Sequence, residues 1–139
     1  MAYSDEKLSA IYDRTSGYCH ICGKKLAFKN YATPGARGAW EVEHSVPRAD
    51  GGTDRLNNLY AACIRCNREK RDGSTRTARA HHGRTRAPLS REERVATRTR
   101  NGVIGGAAGA IIGEGMLGPA GALIGGLLGA AIGKSAKVE

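Results

Sequence analysis

The sequence predicts an α+β protein: a small metal-stapled domain, then a basic linker, then a helical Gly-rich tail. Three observations predict it. Two Cys-x-x-Cys pairs, Cys19/Cys22 and Cys63/Cys66, frame 40 intervening residues. Inside that frame a short segment alternates apolar and polar residues, and a helix-tolerant charged run follows the second pair. Beyond residue 101, Gly recurs at four-residue spacing in two rows. The expected boundaries are 1–72 for the domain, 73–101 for the linker and 102–139 for the tail.

Charge narrows the partners. Of 139 residues, 22 are Lys or Arg and 13 are Asp or Glu, a net charge of +9. Such an excess suits a polyanion, either nucleic acid or an anionic membrane surface. With aromatics at 5% and 20 glycines, a large aromatic-rich core over the whole length is excluded. The opening MAYSDEKLSA has an acid by its fifth residue and no apolar stretch, so no secretory signal is expected. Four cysteines in that context point to metal rather than disulfides.

Residues 1–72 hold all four Cys, all five Tyr, Trp40 and Phe28, with 12 basic and nine acidic residues. Their large apolar residues are scattered, and so short a segment rarely stabilises itself by burial alone. Four thiolates on two knuckles suit a closed tetrahedral zinc site. A redox reading of either pair is weaker, because no βαβ pattern surrounds it. His20, between two ligands, is expected to be an exposed knuckle residue; Trp40 and Phe28 are expected in the core. Trp40 to Val46 alternates as a strand does, and Pro47 stops it. Asp50-Gly51-Gly52-Thr53 is turn chemistry. Asn67 to Arg71 continues as a helix, with Asn67 a candidate N-cap.

The run EVEHSVPRADGGTDRLNNLYAACIRCNREK, residues 41–70, resembles the HNH endonuclease motif of the zinc-containing ββα-metal nucleases. The resemblance spans roughly residues 17–72. Thirteen residues separate His44 from Asn58 and eight separate Asn58 from Asn67. It implies a treble-clef ββα-metal fold and metal-assisted hydrolysis of phosphodiester bonds, with DNA as the expected substrate. On that basis His44 activates water, and Asn58 orients it by hydrogen-bonding the loop between the strands. Glu43 and Asn67 are the expected ligands of a catalytic divalent ion, and Cys19, Cys22, Cys63 and Cys66 hold structural zinc. Hard oxygen donors without a His favour Mg²⁺ or Mn²⁺. Arg48, Arg65, Arg68 and Lys70 are candidates for phosphate contact, since guanidinium forks match phosphate oxygens. A rival reading is a zinc module that binds nucleic acid without cutting it.

Residues 73–101 carry eight Arg and two acids, with Leu89 and Val95 their only large apolar residues. They read as a solvated linker, with His81-His82 a feature of it rather than a metal site. Ser90-Arg91-Glu92-Glu93 is a capping box from which a helix would start at Arg91. In the tail, Gly105, Gly109 and Gly113, then Gly121, Gly125, Gly129 and Gly133, form rows along a helix face. The pattern resembles glycine-zipper segments, in which small residues let helices approach closely. Gly115 to Gly133 is 19 uncharged residues, about the ~20 that a single crossing needs. Membrane association through residues 102–133 and homo-oligomerisation are therefore expected of the tail, with the nuclease domain cytoplasmic and held at the inner membrane. A further alternative makes the tail a membrane-active effector.

Overall fold

The structure is a computed structural model, and it describes residues 3–104. Two compact units divide the chain, Met1–Arg91 and Glu92–Glu139. The first unit holds helix α1 (Asp5–Asp13), strands β1 (Trp40–His44) and β2 (Leu59–Cys63), and helices α2 (Ile64–Lys70) and α3 (Thr75–Ala80).

Helix α1 starts where Ser4 accepts a hydrogen bond from the Lys7 amide, with Asp5 and Glu6 against the positive end of the helix dipole. Leu8 and Ile11, three residues apart, form its buried stripe. The first knuckle follows. The Cys19 amide donates to the Lys24 carbonyl and the Gly23 amide to the Cys19 carbonyl. Gly23 sits at φ +74°, and a side chain there would also meet the Arg84 guanidinium. The His20 amide donates to the Ala61 carbonyl at 3.0 Å, which docks the knuckle on β2.

β1 and β2 pair antiparallel, with Trp40 opposite Cys63 and His44 opposite Leu59. The strand ends at His44 rather than at Val46, which lies in the loop and is exposed. β2 runs directly into α2, giving the order β-β-α around the second cysteine pair. The core is Leu8, Ile11, Cys19, Ile21, Leu26, Trp40, Leu59, Ala61, Ala62 and Cys66. Trp40 is fully buried, with the rings of Tyr12, Tyr31 and Phe28 at 5.4, 5.0 and 6.1 Å. Phe28 differs from expectation. It is 42% exposed, because it caps the outer side of this aromatic group instead of entering it.

The stretch expected as a linker contains α3. Ser74 caps it by accepting from the Thr77 amide, and the Thr75 hydroxyl donates to the Ser45 carbonyl at 3.1 Å. In the second unit, described by itself, residues 92–104 are helical, and the Thr97 hydroxyl donates to the Glu93 carbonyl. Among the described residues no helix is long and apolar enough to cross a membrane. The expected glycine-zipper rows lie outside the described residues.

Candidate active site

Alternation along β1 sends Glu41 and Glu43 to one face of the sheet and Trp40, Val42 and His44 to the other. Helix α2 packs on the glutamate face. Its Arg68 meets Glu41 at 3.1 Å, and its Lys70 ammonium lies 2.7 Å from the Glu43 carboxylate. Tyr60 is the register partner of Glu43 and stacks on the His20 ring at a centroid distance of 4.8 Å. The stack places His20 Nε2 at 2.7 Å from the second Glu43 oxygen. Arg14 covers the outer face of Tyr60 at 3.9 Å.

Glu43 is thus a buried carboxylate, 2% exposed, with one oxygen on His20 and the other on Lys70. Burial pushes its pKa up, but the bonds from His20 and Lys70 outweigh this and hold it below the ordinary value. His20 corrects the expectation of an exposed knuckle residue: it is 0% exposed, because the knuckle's backbone is docked on β2 with this ring inward. Arg79 of α3 donates to the His20 carbonyl at 2.9 Å and to His20 Nδ1 at 3.0 Å. An arginine only donates, so Nδ1 is the acceptor nitrogen, and Nε2 is the ring nitrogen nearest Glu43.

His44 ends β1 and is partly exposed. Its Nε2 lies 2.7 Å from Asp54 Oδ1, and Arg48 bonds the same carboxylate at 2.7 and 2.9 Å. Hydrogen bonds from His44 and Arg48 hold the Asp54 carboxyl well below the usual carboxylate range. Asn58 clamps the intervening loop. Its Oδ1 accepts from the Val46 amide at 2.7 Å, and its Nδ2 donates to the Val46 and Thr53 carbonyls at 3.0 and 2.9 Å.

The remaining site residues fall out differently. Glu43 and Asn67 are not brought together, because the Asn67 amide donates to Glu41 at 2.8 Å. Nor does Asn67 cap α2; that position belongs to Cys63, and Asn67 lies within the helix. Lys70, expected on phosphate, is instead buried against Glu43 and donates to the His44 carbonyl at 3.2 Å. Arg48, Arg65 and Arg68 stay exposed, each paired with one acid: Asp54, Glu69 and Glu41. Asp54 and the His20–Arg79 pair were missed. The turn run before Asp54 signals that the chain reverses, but not that it returns to His44.

The four cysteine sulfurs lie within 4.8 Å of one another, with Cys22 and Cys63 at 3.9 Å. Zinc–thiolate bonds of about 2.3 Å set tetrahedral sulfurs roughly 3.8 Å apart, so the group fits a structural zinc ion. Hydrogen bonds from Cys22, Cys63 and Cys66 pull the Cys19 thiol far below its usual range, while sharing a proton with Cys19 pushes Cys63 and Cys66 up. Zinc binds cysteine as thiolate, so an ion at the centre would hold the four sulfurs deprotonated together. His82 Nε2 is 3.6 Å from the Cys66 sulfur, so the expected linker histidine lies beside this cluster.

The first unit thus joins a ββα arrangement, a four-cysteine cluster that could hold zinc, and an acid–histidine pair on its first strand. Residues 19–73 match the family model of the HNH endonucleases, so this segment is an HNH nuclease domain. EcoKMcrA, a type IV methyl-directed restriction enzyme of Escherichia coli (strain K12), is 37% identical over 59 residues. The match covers 42% of this chain and 20% of that enzyme, so the chain spans about a fifth of its length. No solved structure matches.

Proposed function

We propose that the protein is a metal-dependent HNH endonuclease that hydrolyses phosphodiester bonds in DNA. One observation carries the reading: Glu43 and His44, adjacent on β1, are each held by partners from elsewhere in the chain, inside a segment that matches the HNH family. His44 is the general base. It takes a proton from water as the water oxygen attacks phosphorus, and the ester bond to the leaving oxygen breaks. Asn58 fixes the loop that follows His44. Arg48, Arg65 and Arg68 are the exposed guanidiniums that would meet phosphate.

A carboxylate is a hard oxygen donor of the kind a divalent cation takes, but Glu43 already carries the Lys70 ammonium at 2.7 Å, which the ion would have to displace. One carboxylate with waters and substrate oxygens is a common Mg²⁺ environment. Mg²⁺ or Mn²⁺ bound there would stabilise charge on the phosphoryl and leaving oxygens. Asn67 would have to leave Glu41 to join it.

A second reading, a zinc module that binds DNA without cutting it, is favoured by one fact: both Glu43 oxygens are engaged and the group is buried. Incubating the purified full chain with plasmid in Mg²⁺, in Mn²⁺ and in chelator separates the two. Metal-dependent nicking that disappears in His44→Ala supports the nuclease. Retained DNA binding with no cleavage in any metal leaves the binding module. For residues 102–133 the proposal of membrane association and self-association rests on the Gly spacing and the uncharged run 115–133, and a cytoplasmic position at the inner membrane rests on the flanking Arg and Lys residues.

A further inference from the structure

We infer that Asp54 is the positioning residue for His44, fixing the imidazole in the tautomer whose Nδ1 carries the lone pair; this rests on the reading of His44 as the base. Two groups claim Nε2 of His44. Asp54 Oδ1 lies at 2.7 Å and can only accept, whereas Arg48 Nε lies at 3.2 Å and can only donate. Nε2 cannot serve both. The shorter contact is to a carboxylate, and a charge-assisted bond of that length is the stronger. Nε2 therefore carries the proton and gives it to Asp54 as a hydrogen bond. Arg48 is retained through its own two bonds to the same carboxylate. Nδ1 is left as the nitrogen able to accept a proton.

Asp54 is built into place from three directions. Asn58 holds the carbonyl of its neighbour Thr53. Ahead of it in the chain, Tyr3 donates its hydroxyl to Asp54 Oδ1 at 3.1 Å, and Lys7 donates to the Asp54 carbonyl at 2.9 Å. One carboxylate thus gathers a histidine, an arginine and a tyrosine. The arrangement has the logic of a base oriented by an acid. Asp54 does not meet substrate in this scheme; it acts through the ring of His44.

The test is a double-mutant cycle on the full chain, reading kcat, KM and the melting midpoint. Asp54→Ala should lower kcat about tenfold, part of the ~10²-fold or more that a general base supplies. KM and melting should hardly move. In a His44→Ala background the same change should alter kcat by less than about twofold, because the group it orients is gone. Asp54→Asn is no rescue, because its amide can donate to Nε2 and favour the opposite tautomer, so its loss should match or exceed that of Asp54→Ala; Asp54→Glu, which keeps an acceptor-only carboxylate, should recover part of the rate. Equal losses in both backgrounds, or no loss in either, would overturn the inference while leaving His44 as base. A fully active His44→Ala would overturn both it and the nuclease reading of this histidine. Should Asp54→Ala not fold, the nitrogen-15 spectrum of the wild-type imidazole decides. A protonated Nε2 with an unprotonated Nδ1 is expected for His44, and the opposite tautomer would overturn the proposal.

Discussion

Glu43 and His44 are neighbours in sequence but meet opposite environments, because successive strand residues face opposite sides of the sheet. His44 lies at the rim, 16% exposed at its side chain. His44→Ala should lower cleavage by roughly 10²-fold or more while leaving DNA binding near wild type; plasmid nicking beside a mobility-shift titration checks both. Glu43 is sealed between His20 and Lys70, and its role in stability can be read from pH. Its folded pKa lies below the ordinary carboxyl value. The stability it contributes is therefore full above the unfolded pKa of about 4.3 and is lost as pH falls through the folded value. Glu43→Gln should be less stable at neutral pH, since it leaves the Lys70 ammonium buried without a counter-charge. Below about pH 4.3 its melting midpoint should fall less steeply than that of the wild type, because the group that titrates is gone. Parallel slopes in melts from pH 7 to 3 would show that Glu43 is not the group whose protonation weakens the fold.

The elements are short, and each depends on a staple. β1 and β2 have five residues apiece and α2 has seven, too few to be stable alone. Zinc on Cys19, Cys22, Cys63 and Cys66 would join the first knuckle to the start of α2, and structural zinc supplies on the order of 10 kcal/mol in small domains. Cys63→Ser should therefore abolish the cooperative melt followed by circular dichroism, not just slow cleavage; a native melt would remove the zinc staple from the account. Asn58 staples the loop in the same way with three bonds, all within 3.0 Å. Asn58→Ala leaves the Val46 amide and two carbonyls short of a partner, and should cost about 1–3 kcal/mol. Faster hydrogen exchange at the Val46 amide would locate that loss. The strand, the two knuckles and the turn at Asp50–Thr53 were legible in the sequence because each is a local signal: a period of two, a fixed cysteine spacing, a glycine pair. What was not legible is long-range. His20 turns inward because of Ala61 and Arg79, and Arg79 is 59 residues away. Lys70 looks like any surface lysine until α2 is laid against β1, and Asp54 gains meaning only when the turn brings it back to His44.

Over the whole molecule, the positive charge is unevenly spread. Residues 73–101 hold eight of the 22 basic residues, yet they are not all free to meet DNA. Arg79 is drawn inward onto His20, while Arg76, Arg86 and Arg98 remain exposed. The part of this stretch that forms α3 is therefore both a packing element and a carrier of charge, which its composition alone does not reveal. Each phosphate neutralised releases counterions, giving a log–log salt slope of about −0.9 per contact on duplex DNA. If the exposed arginines touch the backbone flanking the cut, converting Arg76, Arg86 and Arg98 to Gln should flatten that slope by up to about 2.7. Phosphate contacts position without reading sequence, so the cut sites themselves should stay the same. These three side chains lie outside the Glu43 and His44 clusters, so the melting midpoint should hold as well. Binding isotherms from about 50 to 200 mM salt measure the slope directly. An unchanged slope would show that Arg76, Arg86 and Arg98 make no contact with the DNA backbone and would return these three positions to spacing.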